Sequence, residues 1–369
     1  MDKIIILTPR LNRVGGIANY YKALEGSFSF PVKYLERGYD KNFPKIPLLS
    51  SPIRSFKDLI NYLLFLFRNK VSLIHINTSL DYGGIFRDGF YYFFRKKTPK
   101  IVFFRGWNKD FERKIENSFL IRIWFKRTFL KSNHIIVLSE TFKYKLKEWG
   151  YNGNISVETT VVDKRLLENV NIEDVLLHRL KKQIVNILFL GRIEKTKGVF
   201  LLINAFQKLN EHYKNRVTFT IAGWGRDQTE LQKKIQSLGF SVNFPGYIRD
   251  EKKKEVLCNA DIYILPSYGE GMPNSILEAM AFGLPIITTP VGGIPDVFVN
   301  KETGFYIDTF ESQEIVEKLK LLIDKPELRY KMGRSNYQRA QKDFMSDMVA
   351  KRLEQIYEEV IKKNTNEKV

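Results

Sequence analysis

Short apolar runs alternate along this chain with stretches long enough for a helix, and this alternation constrains the fold more than any other feature. In the first half the runs occupy 3–8, 71–76, 100–104 and 134–138. In the second half they occupy 184–190, 217–222, 262–265 and 285–289. Continuous apolar strands separated by helical segments are typical of parallel sheets covered by helices. The sequence therefore predicts an α/β fold.

The alternation restarts near residue 183, after a charged stretch around 179–182. Two successive series of this kind predict two doubly wound, Rossmann-like domains that face a central ligand cleft. We place the first domain at 1–182 and the second at 183–345. The remaining residues, 346–369, are predicted to form a C-terminal helix that can pack on either domain, including back onto the first.

The composition of the 369-residue chain excludes several protein classes. Hydrophobic residues make up 44% and charged residues 27%, so the chain is neither disordered nor collagen-like. A single cysteine, Cys258, forms no internal disulfide, and residues 1–7 lack the pattern of a signal peptide. The most apolar window, 60–67, falls far short of the ~18 to 20 residues of a transmembrane helix. These features predict a cytoplasmic protein.

The basic charge is concentrated in the first half. Of the formal net charge of +19, residues 1–180 carry +14 and residues 181–369 carry +5. Aromatic and basic side chains are interleaved over 85–131, and a helix predicted from about 115 to 131 places Phe119, Ile123 and Lys126 or Arg127 on adjacent turns. Such a helix either lies on an anionic membrane surface or packs normally with its cations in water. Nucleic acid is the other anionic partner, but no nucleic-acid-binding motif accompanies the charge.

The most informative segment, 267–285, follows the apolar run at 262–265 and leads through a Gly-containing loop into a helix that ends at Gly283. The start of a helix offers unpaired backbone N–H groups and the positive end of the helix dipole. The junction at Gly271–Ser275 therefore suits a diphosphate, and an ordinary strand–loop–helix connection is the alternative.

Glu270 and Glu278 lie in this segment, separated by seven residues and followed by Ala-Met-Ala and Gly-Leu-Pro. This pattern resembles the signature of retaining glycosyltransferases of family 4, which have the two-domain GT-B fold. Four further segments resemble motifs of that family and occur in its order: 191–198 (Gly-Arg…Lys-Gly), 221–225 (Gly-x-Gly), 244–247 (a loop on the base side) and 290–296 (a Gly-Gly turn). The resemblance is strong over about 184–310 and weak elsewhere.

The resemblance implies a role for each matching residue. Arg192 and Lys197 would hold the nucleotide diphosphate, Glu278 the ribose hydroxyls, and Glu270 the hydroxyls of the donor sugar. Of these, Arg192, Lys197 and Glu270 are the expected catalytic residues, and cations that neutralise a leaving phosphate fit that role. Solvated loop charges are the alternative for the two cations. The remaining donor-site candidates in this half are Gly223, Tyr247, Gly271, Met272, Pro273, Asn274 and Ser275.

Two features of the first half also bear on the resemblance. Gly15 and Gly16 resemble the family's first loop, where the glycine pair lets the backbone approach the donor, and a tight turn is the alternative. Many relatives place His before Gly106, near the reacting sugar, whereas this chain has Arg105. Arg105 either acts electrostatically on the acceptor side, toward an acceptor phosphate, or only closes its loop.

The sequence predicts no essential metal, because its four histidines are scattered and no Cys/His cluster or Asp-x-Asp pair has ligand spacing. His75 and His134 lie in apolar runs, so we expect core histidines.

The resemblance, taken with these features, implies a retaining, hexosyltransferase-type enzyme. It would move a sugar from a nucleotide-diphosphate donor, a UDP-sugar, to a glycan or a polyprenyl-diphosphate-linked acceptor in cell-surface polysaccharide biosynthesis. We expect it to be peripheral on the inner face of the plasma membrane, with no cofactor and no nucleic-acid partner. The rivals are a nucleotide-sugar epimerase, which the scarcity of histidine disfavours, and a membrane- or nucleic-acid-binding protein that retains the fold.

Overall fold

The computed structural model describes residues 3–13, 15–38, 50–94, 97–236 and 242–366, with the backbone alone for 50–54. The chain divides into two compact units. The first consists of Met1–Thr159 and Ser346–Val369, and the second of Thr160–Met345. Each unit contains one parallel sheet, so the predicted α/β class with two doubly wound units is confirmed.

The described residues of the first unit form a six-stranded sheet. Its strands are β1 (Lys3–Pro9), β2 (Val32–Arg37), β3 (Val71–Leu80), β4 (Lys100–Trp107), β5 (His134–Val137) and β6 (Asn154–Val157). Its helices up to residue 159 are α1 (Gly16–Ala23), α2 (Ser50–Arg68), α3 (Tyr82–Gly89), α4 (Lys109–Asn117), α5 (Phe119–Arg127) and α6 (Glu140–Glu148). The strand order β2-β1-β3-β4-β5-β6 reverses at β1 and β3, which is where doubly wound sheets bind ligands.

The second unit contains the other six-stranded sheet. Its strands are β7 (Val185–Leu190), β8 (Val217–Ala222), β9 (Val242–Gly246), β10 (Ile262–Leu265), β11 (Ile286–Thr288) and β12 (Gly304–Tyr306). Its described helices are α7 (Ile172–Leu180), α8 (Val199–Lys208), α9 (Glu211–Lys214), α10 (Gln228–Gln236), α11 (Asp250–Asn259), α12 (Asn274–Ala281), α13 (Ile294–Val297), α14 (Ser312–Asp324) and α15 (Pro326–Asp343). The order β12-β11-β10-β7-β8-β9 reverses between β7 and β10.

The division between the units falls after Thr159, whereas the sequence placed it after residue 182. Helix α7 explains the difference, because a buried arginine at its end ties it to the second unit. The Arg179 guanidinium donates to the carbonyls of Phe282, Gly283 and Leu257 at 2.7, 3.0 and 2.9 Å. Residues 160–182 therefore pack with the elements that follow them.

The C-terminal helix α16 (Ser346–Asn366) packs in the first unit. Tyr357 Oη lies 2.7 Å from His75 Nδ1 in the middle of β3, and the Arg352 guanidinium binds the buried Glu158 carboxylate at 2.9–3.1 Å. His75 is fully buried and His134 nearly so, which confirms the prediction of core histidines. Burial lowers the pKa of His75 to about 3, so its ring is neutral near pH 7.

The single helix predicted from about 115 to 131 is wrong. Helix α4 ends at Asn117, and Ser118 adopts an extended conformation in which its side chain accepts from the Ile121 N–H to cap α5. Helix α5 then ends at Arg127, followed by a 3-10 turn at Phe129–Lys131. A serine N-cap just before the apolar residues of α5 therefore divides the predicted helix. Among the described residues, no helix combines the length and the apolarity needed to cross a membrane.

Candidate active site

Loops that follow β7, β8, β10 and β11 pack closely at the carboxyl edge of the second sheet, where the strand order reverses. Glycines permit this packing. Gly223 has φ +141°, and a Cβ there would overlap the carbonyl oxygen of Gly191. Gly292 has φ +62°, and a Cβ there would overlap the carbonyl of Glu270. These glycines of two motifs hold the loops with Arg192 and Glu270 in one cluster.

Lys197 and Glu270 meet in this cluster as an ion pair. Lys197 ends the 3-10 turn Lys195–Lys197, and Glu270 lies in the loop between β10 and α12. The Nζ–Oε1 distance is 2.6 Å, and the side chains are 13% and 8% exposed. Tyr268 ties the two loops together, because its N–H donates to the carbonyl of Thr196 at 2.9 Å. The structure thus brings together a cation and a carboxylate that the sequence assigned to separate parts of a donor.

Helix α12 begins beside this pair. Pro273 occupies its N-cap position and, having no polar side chain, makes no capping hydrogen bond. The Ser275 hydroxyl is engaged by the buried Tyr263 hydroxyl at 2.7 Å, and Met272 packs in the core. The amides at Asn274 and Ser275 therefore begin a helix without side-chain caps, an arrangement that suits an anion. The left-handed Gly283, with φ +63°, follows the helix as predicted.

Glu278 lies on α12, only 7% exposed as a whole residue, and forms an ion pair that the sequence analysis missed. Lys253 of α11 reaches its Oε1 at 2.9 Å, with the two side chains 22% and 10% exposed. Burial by itself disfavours the Lys253 ammonium, but the Glu278 carboxylate outweighs it and holds the lysine pKa above its usual value. Tyr247, on the loop after β9, is 47% exposed. The lysine-rich run 252–254 was the only sequence signal.

Arg192 is the most exposed of the predicted donor-site cations. Its side chain is 64% exposed, and Nη1 lies 2.9 Å from Glu194 Oε1 on the same loop. The structure therefore places Arg192 on the rim of the cluster, paired locally, while the side chain of Lys197 is only 13% exposed. A long, exposed arginine retains the freedom to turn toward an anion.

The predicted residues of the first unit lie at the start of α1 and near the end of β4. A Cβ at Gly15 or Gly16 would meet no described atom within 4 Å, so packing within the chain does not require glycine there. The half-buried Arg105 stacks its guanidinium on the rings of Tyr20 and Phe103, at 3.8 and 4.4 Å from their centroids. Its buried Nε and Nη1 have no hydrogen-bond partner among the described residues, and desolvation lowers its pKa. Two stacked rings orient this cation without neutralising it.

In the parts of the chain that the structure describes, no three His, Cys, Asp or Glu side chains converge as a metal site would require. The charged groups of the cluster instead form ion pairs, as at Lys197–Glu270 and Lys253–Glu278. These side chains suit an anionic ligand that binds the lysines in competition with the glutamates.

Comparison with known proteins agrees with this geometry. Residues 172–339 match the family "Glycosyl transferases group 1". The group 1 segment covers α7 through most of α15, and so includes all the charged residues of the cluster in the second unit.

Relatives and solved structures extend the similarity to nearly the whole chain. The capsular polysaccharide biosynthesis glycosyltransferase CapM of Staphylococcus aureus is 25% identical over 343 residues, 88% of this chain and 87% of that protein. A Campylobacter jejuni N,N'-diacetylbacillosaminyl-diphospho-undecaprenol alpha-1,3-N-acetylgalactosaminyltransferase is 31% identical over 53% of this chain and 48% of its own length. HepE of Anabaena, solved with UDP and glucose, has a TM-score of 0.71 at 16% identity, covering 96% and 99% of the two chains. Together these findings support a glycosyltransferase with the GT-B fold.

Proposed function

We propose that this chain is a retaining glycosyltransferase that moves a sugar from a UDP-sugar to a glycan or a polyprenyl-diphosphate-linked acceptor in cell-surface polysaccharide biosynthesis. The observation that carries the proposal is the half-buried Lys197–Glu270 pair beside the uncapped start of α12, at the reversal point of the second sheet. The names of the Staphylococcus and Campylobacter relatives support the acceptor class, and the UDP and glucose in HepE support the donor.

The proposed reaction breaks the bond between the sugar's anomeric carbon and the donor phosphate, and forms a bond from that carbon to an acceptor hydroxyl on the same face. The hydroxyl proton passes to the departing phosphate oxygen, so no side chain is needed as a general base. Lys197, Arg192 and the amides of α12 would stabilise the charge that develops on the leaving diphosphate. With this charge carried by side chains and amides, the proposal requires no metal.

The two glutamates would orient the donor. Glu278 would accept hydrogen bonds from the ribose hydroxyls, with Tyr247 near the base, and Glu270 would accept from hydroxyls of the sugar. The pair distances imply competition, because a diphosphate that binds Lys197 must share its ammonium with Glu270 at 2.6 Å. Donor binding would thus exchange part of an internal ion pair for a phosphate contact.

Thermal stabilisation of the full chain by UDP-, GDP-, ADP- and CMP-sugars tests the donor assignment. A ligand present at ~100 times its dissociation constant adds about 2.7 kcal/mol of stability. We expect a selective shift with a UDP-sugar that Glu278→Ala abolishes. Lys252→Ala, an exposed position on α11, serves as the matched control. Equal shifts with all four nucleotides, or none with any, would overturn the donor assignment.

Turnover tests the catalytic assignment separately. Lys197→Ala removes the half-buried cation and is expected to lower the transfer rate about a hundredfold, the usual order for one charge-assisted contact to the transition state. Lys195→Ala, on the same turn but 60% exposed and paired with Glu230, should leave the rate nearly unchanged. Comparable rates for both variants would contradict the role of Lys197. Nuclear magnetic resonance of the product tests retention, because a retaining enzyme gives the anomeric configuration of the donor sugar.

We also propose that the enzyme associates with the inner face of the plasma membrane. The net +14 of residues 1–180 and their interleaved aromatic side chains support an anionic surface as the partner of the first unit. A lipid-linked acceptor would be presented at such a surface.

A further inference from the structure

An exposed aromatic patch surrounds Trp124 on the first unit. The rings of Phe86, Phe90 and Phe93 lie 5.9, 5.2 and 5.7 Å from the Trp124 ring, centroid to centroid. The three phenylalanines are 38%, 50% and 45% exposed. Rings that contact one another but leave this much apolar surface in water mark an interaction site rather than a core.

Helix α5 extends the patch and adds cations to it. Phe119 and Leu120 at its start are 67% and 77% exposed, and Leu120 lies one helical turn before Trp124. The exposed Arg122, Lys126 and Arg127 flank these side chains. Residues 119–131 contain no acid, and within the described chain none of these three cations forms an ion pair. The helix therefore presents apolar and positive groups together.

Helix α2 carries a second apolar stripe beside the patch. Phe56, Ile60, Leu64 and Phe67 recur at helical spacing and are 64%, 40%, 47% and 86% exposed. On the opposite side of this helix the buried Tyr62 packs against Tyr91, with ring centroids 4.8 Å apart. Since Tyr91 lies in the 3-10 turn Phe90–Phe93, α2 lies next to the turn that carries two of the exposed phenylalanines.

We infer that this surface, formed by the outer faces of α2, α3 and α5, docks on an anionic lipid bilayer. The apolar side chains would enter the headgroup region while the flanking cations contact lipid phosphates, as interfacial helices do. A second copy of the chain is disfavoured as the occupant, because a self-complementary contact would bring together two copies of the patch that carries Arg122, Lys126 and Arg127, in a chain of net charge +19. The inference deepens the proposed membrane association and rests on it.

Vesicle co-sedimentation of the full chain tests the surface without any donor or acceptor. The vesicles contain phosphatidylcholine alone or with phosphatidylglycerol. Each cation near an anionic surface contributes about 1 kcal/mol, roughly fivefold in binding, so Arg122→Gln/Lys126→Gln/Arg127→Gln should weaken binding on the order of a hundredfold. Phe119→Ser/Leu120→Ser should weaken it at least tenfold. A control, Lys208→Gln/Lys331→Gln/Lys342→Gln, removes the same charge from exposed positions of the second unit and should bind like wild type.

Preferential binding to anionic vesicles, lost in both surface variants and kept in the control, supports the inference. Equal binding to both vesicles, no binding to either, or equal losses in control and triple variant would overturn it. A dimer that Phe119→Ser/Leu120→Ser dissociates in analytical ultracentrifugation would also overturn it, in favour of self-association. Thermal stabilisation by UDP-sugar on the same preparations distinguishes failure of this inference from failure of the proposed activity, because the donor-site cluster lies in the second unit.

Discussion

Lys253→Met removes the charge that faces Glu278 and retains most of the lysine stem. The ammonium and carboxylate are 2.9 Å apart with only 22% and 10% of their side chains exposed. At an effective dielectric constant near 20 their gross attraction is about 6 kcal/mol, and desolvation of both ions offsets most of it. Loss of the lysine leaves a nearly buried carboxylate without its ion pair. We therefore expect the α11–α12 region to lose about 2 kcal/mol of local stability.

Native-state hydrogen exchange of the full chain, measured on the amides of α11 and α12, reports this local free energy. A loss of about 2 kcal/mol corresponds to roughly 30-fold faster exchange. Glu278→Gln alone and the double variant complete a cycle, and a coupling of about 1–2 kcal/mol is expected. The exposed pair Lys252–Glu255 on the same helix is the matched control, with an expected coupling below about 0.5 kcal/mol.

The sign of the pH dependence gives a second check. Because the lysine pKa is raised above its usual 10.5, the coupling is fully present below that pH and is lost only as the pH rises through the folded-state value. It should therefore be constant from pH 6 to pH 8. A coupling no larger than that of the control pair, or one that fades between pH 6 and pH 8, would refute the reasoning.

Three further predictions concern other parts of the chain. His75 should contribute a fall of about 1.4 kcal/mol per pH unit to the unfolding free energy between pH 6.5 and its folded-state pKa of about 3, so urea titrations of His75→Gln should show a fall that is shallower than wild type by about that slope. Gly223→Ala, at φ +141° against the Gly191 carbonyl, should lower the melting temperature and abolish stabilisation by UDP-sugar, whereas Gly16→Ala should leave the melting temperature unchanged. Arg105→Met should raise the KM for a diphosphate-linked acceptor about tenfold and leave UDP-sugar stabilisation unchanged; an unchanged KM would assign Arg105 to loop closure.

The interior of each sheet could be predicted from sequence, but its edges could not. The eight apolar runs correspond to β1, β3, β4, β5, β7, β8, β10 and β11, which are the interior strands. The strands that the sequence analysis missed, β2, β6, β9 and β12, are the four edge strands. An interior strand of a parallel sheet is covered on both faces and is continuously apolar. An edge strand such as β6, Asn-Ile-Ser-Val with no fully buried residue, carries no such signal.

The candidate site was predictable in its parts but not in its connections. The motifs include Lys197, Glu270 and Glu278. The assignment of these residues to the diphosphate, sugar and ribose of the donor stays a prediction. Spacing along the chain does not reveal that Lys197 and Glu270, separated by 73 positions, form an ion pair, because only the packing of the β7 and β10 loops brings them together. Lys253 was missed for the same reason, since it belongs to no motif and reaches Glu278 only through the packing of α11 beside α12.

These pairings change how single variants of the cluster must be interpreted. Each charged residue that the motifs single out has an internal partner of opposite sign, in the pairs Lys197–Glu270, Lys253–Glu278 and Arg192–Glu194. Removing one member leaves its partner's charge unpaired, and that charge then repels or attracts the anionic donor. Glu270→Gln, for example, replaces a charged acceptor of sugar hydroxyls with a neutral amide and also releases Lys197 to bind diphosphate more tightly. Donor affinity would then rise while turnover falls, a combination that neither the loss of a simple binding residue nor a folding defect produces.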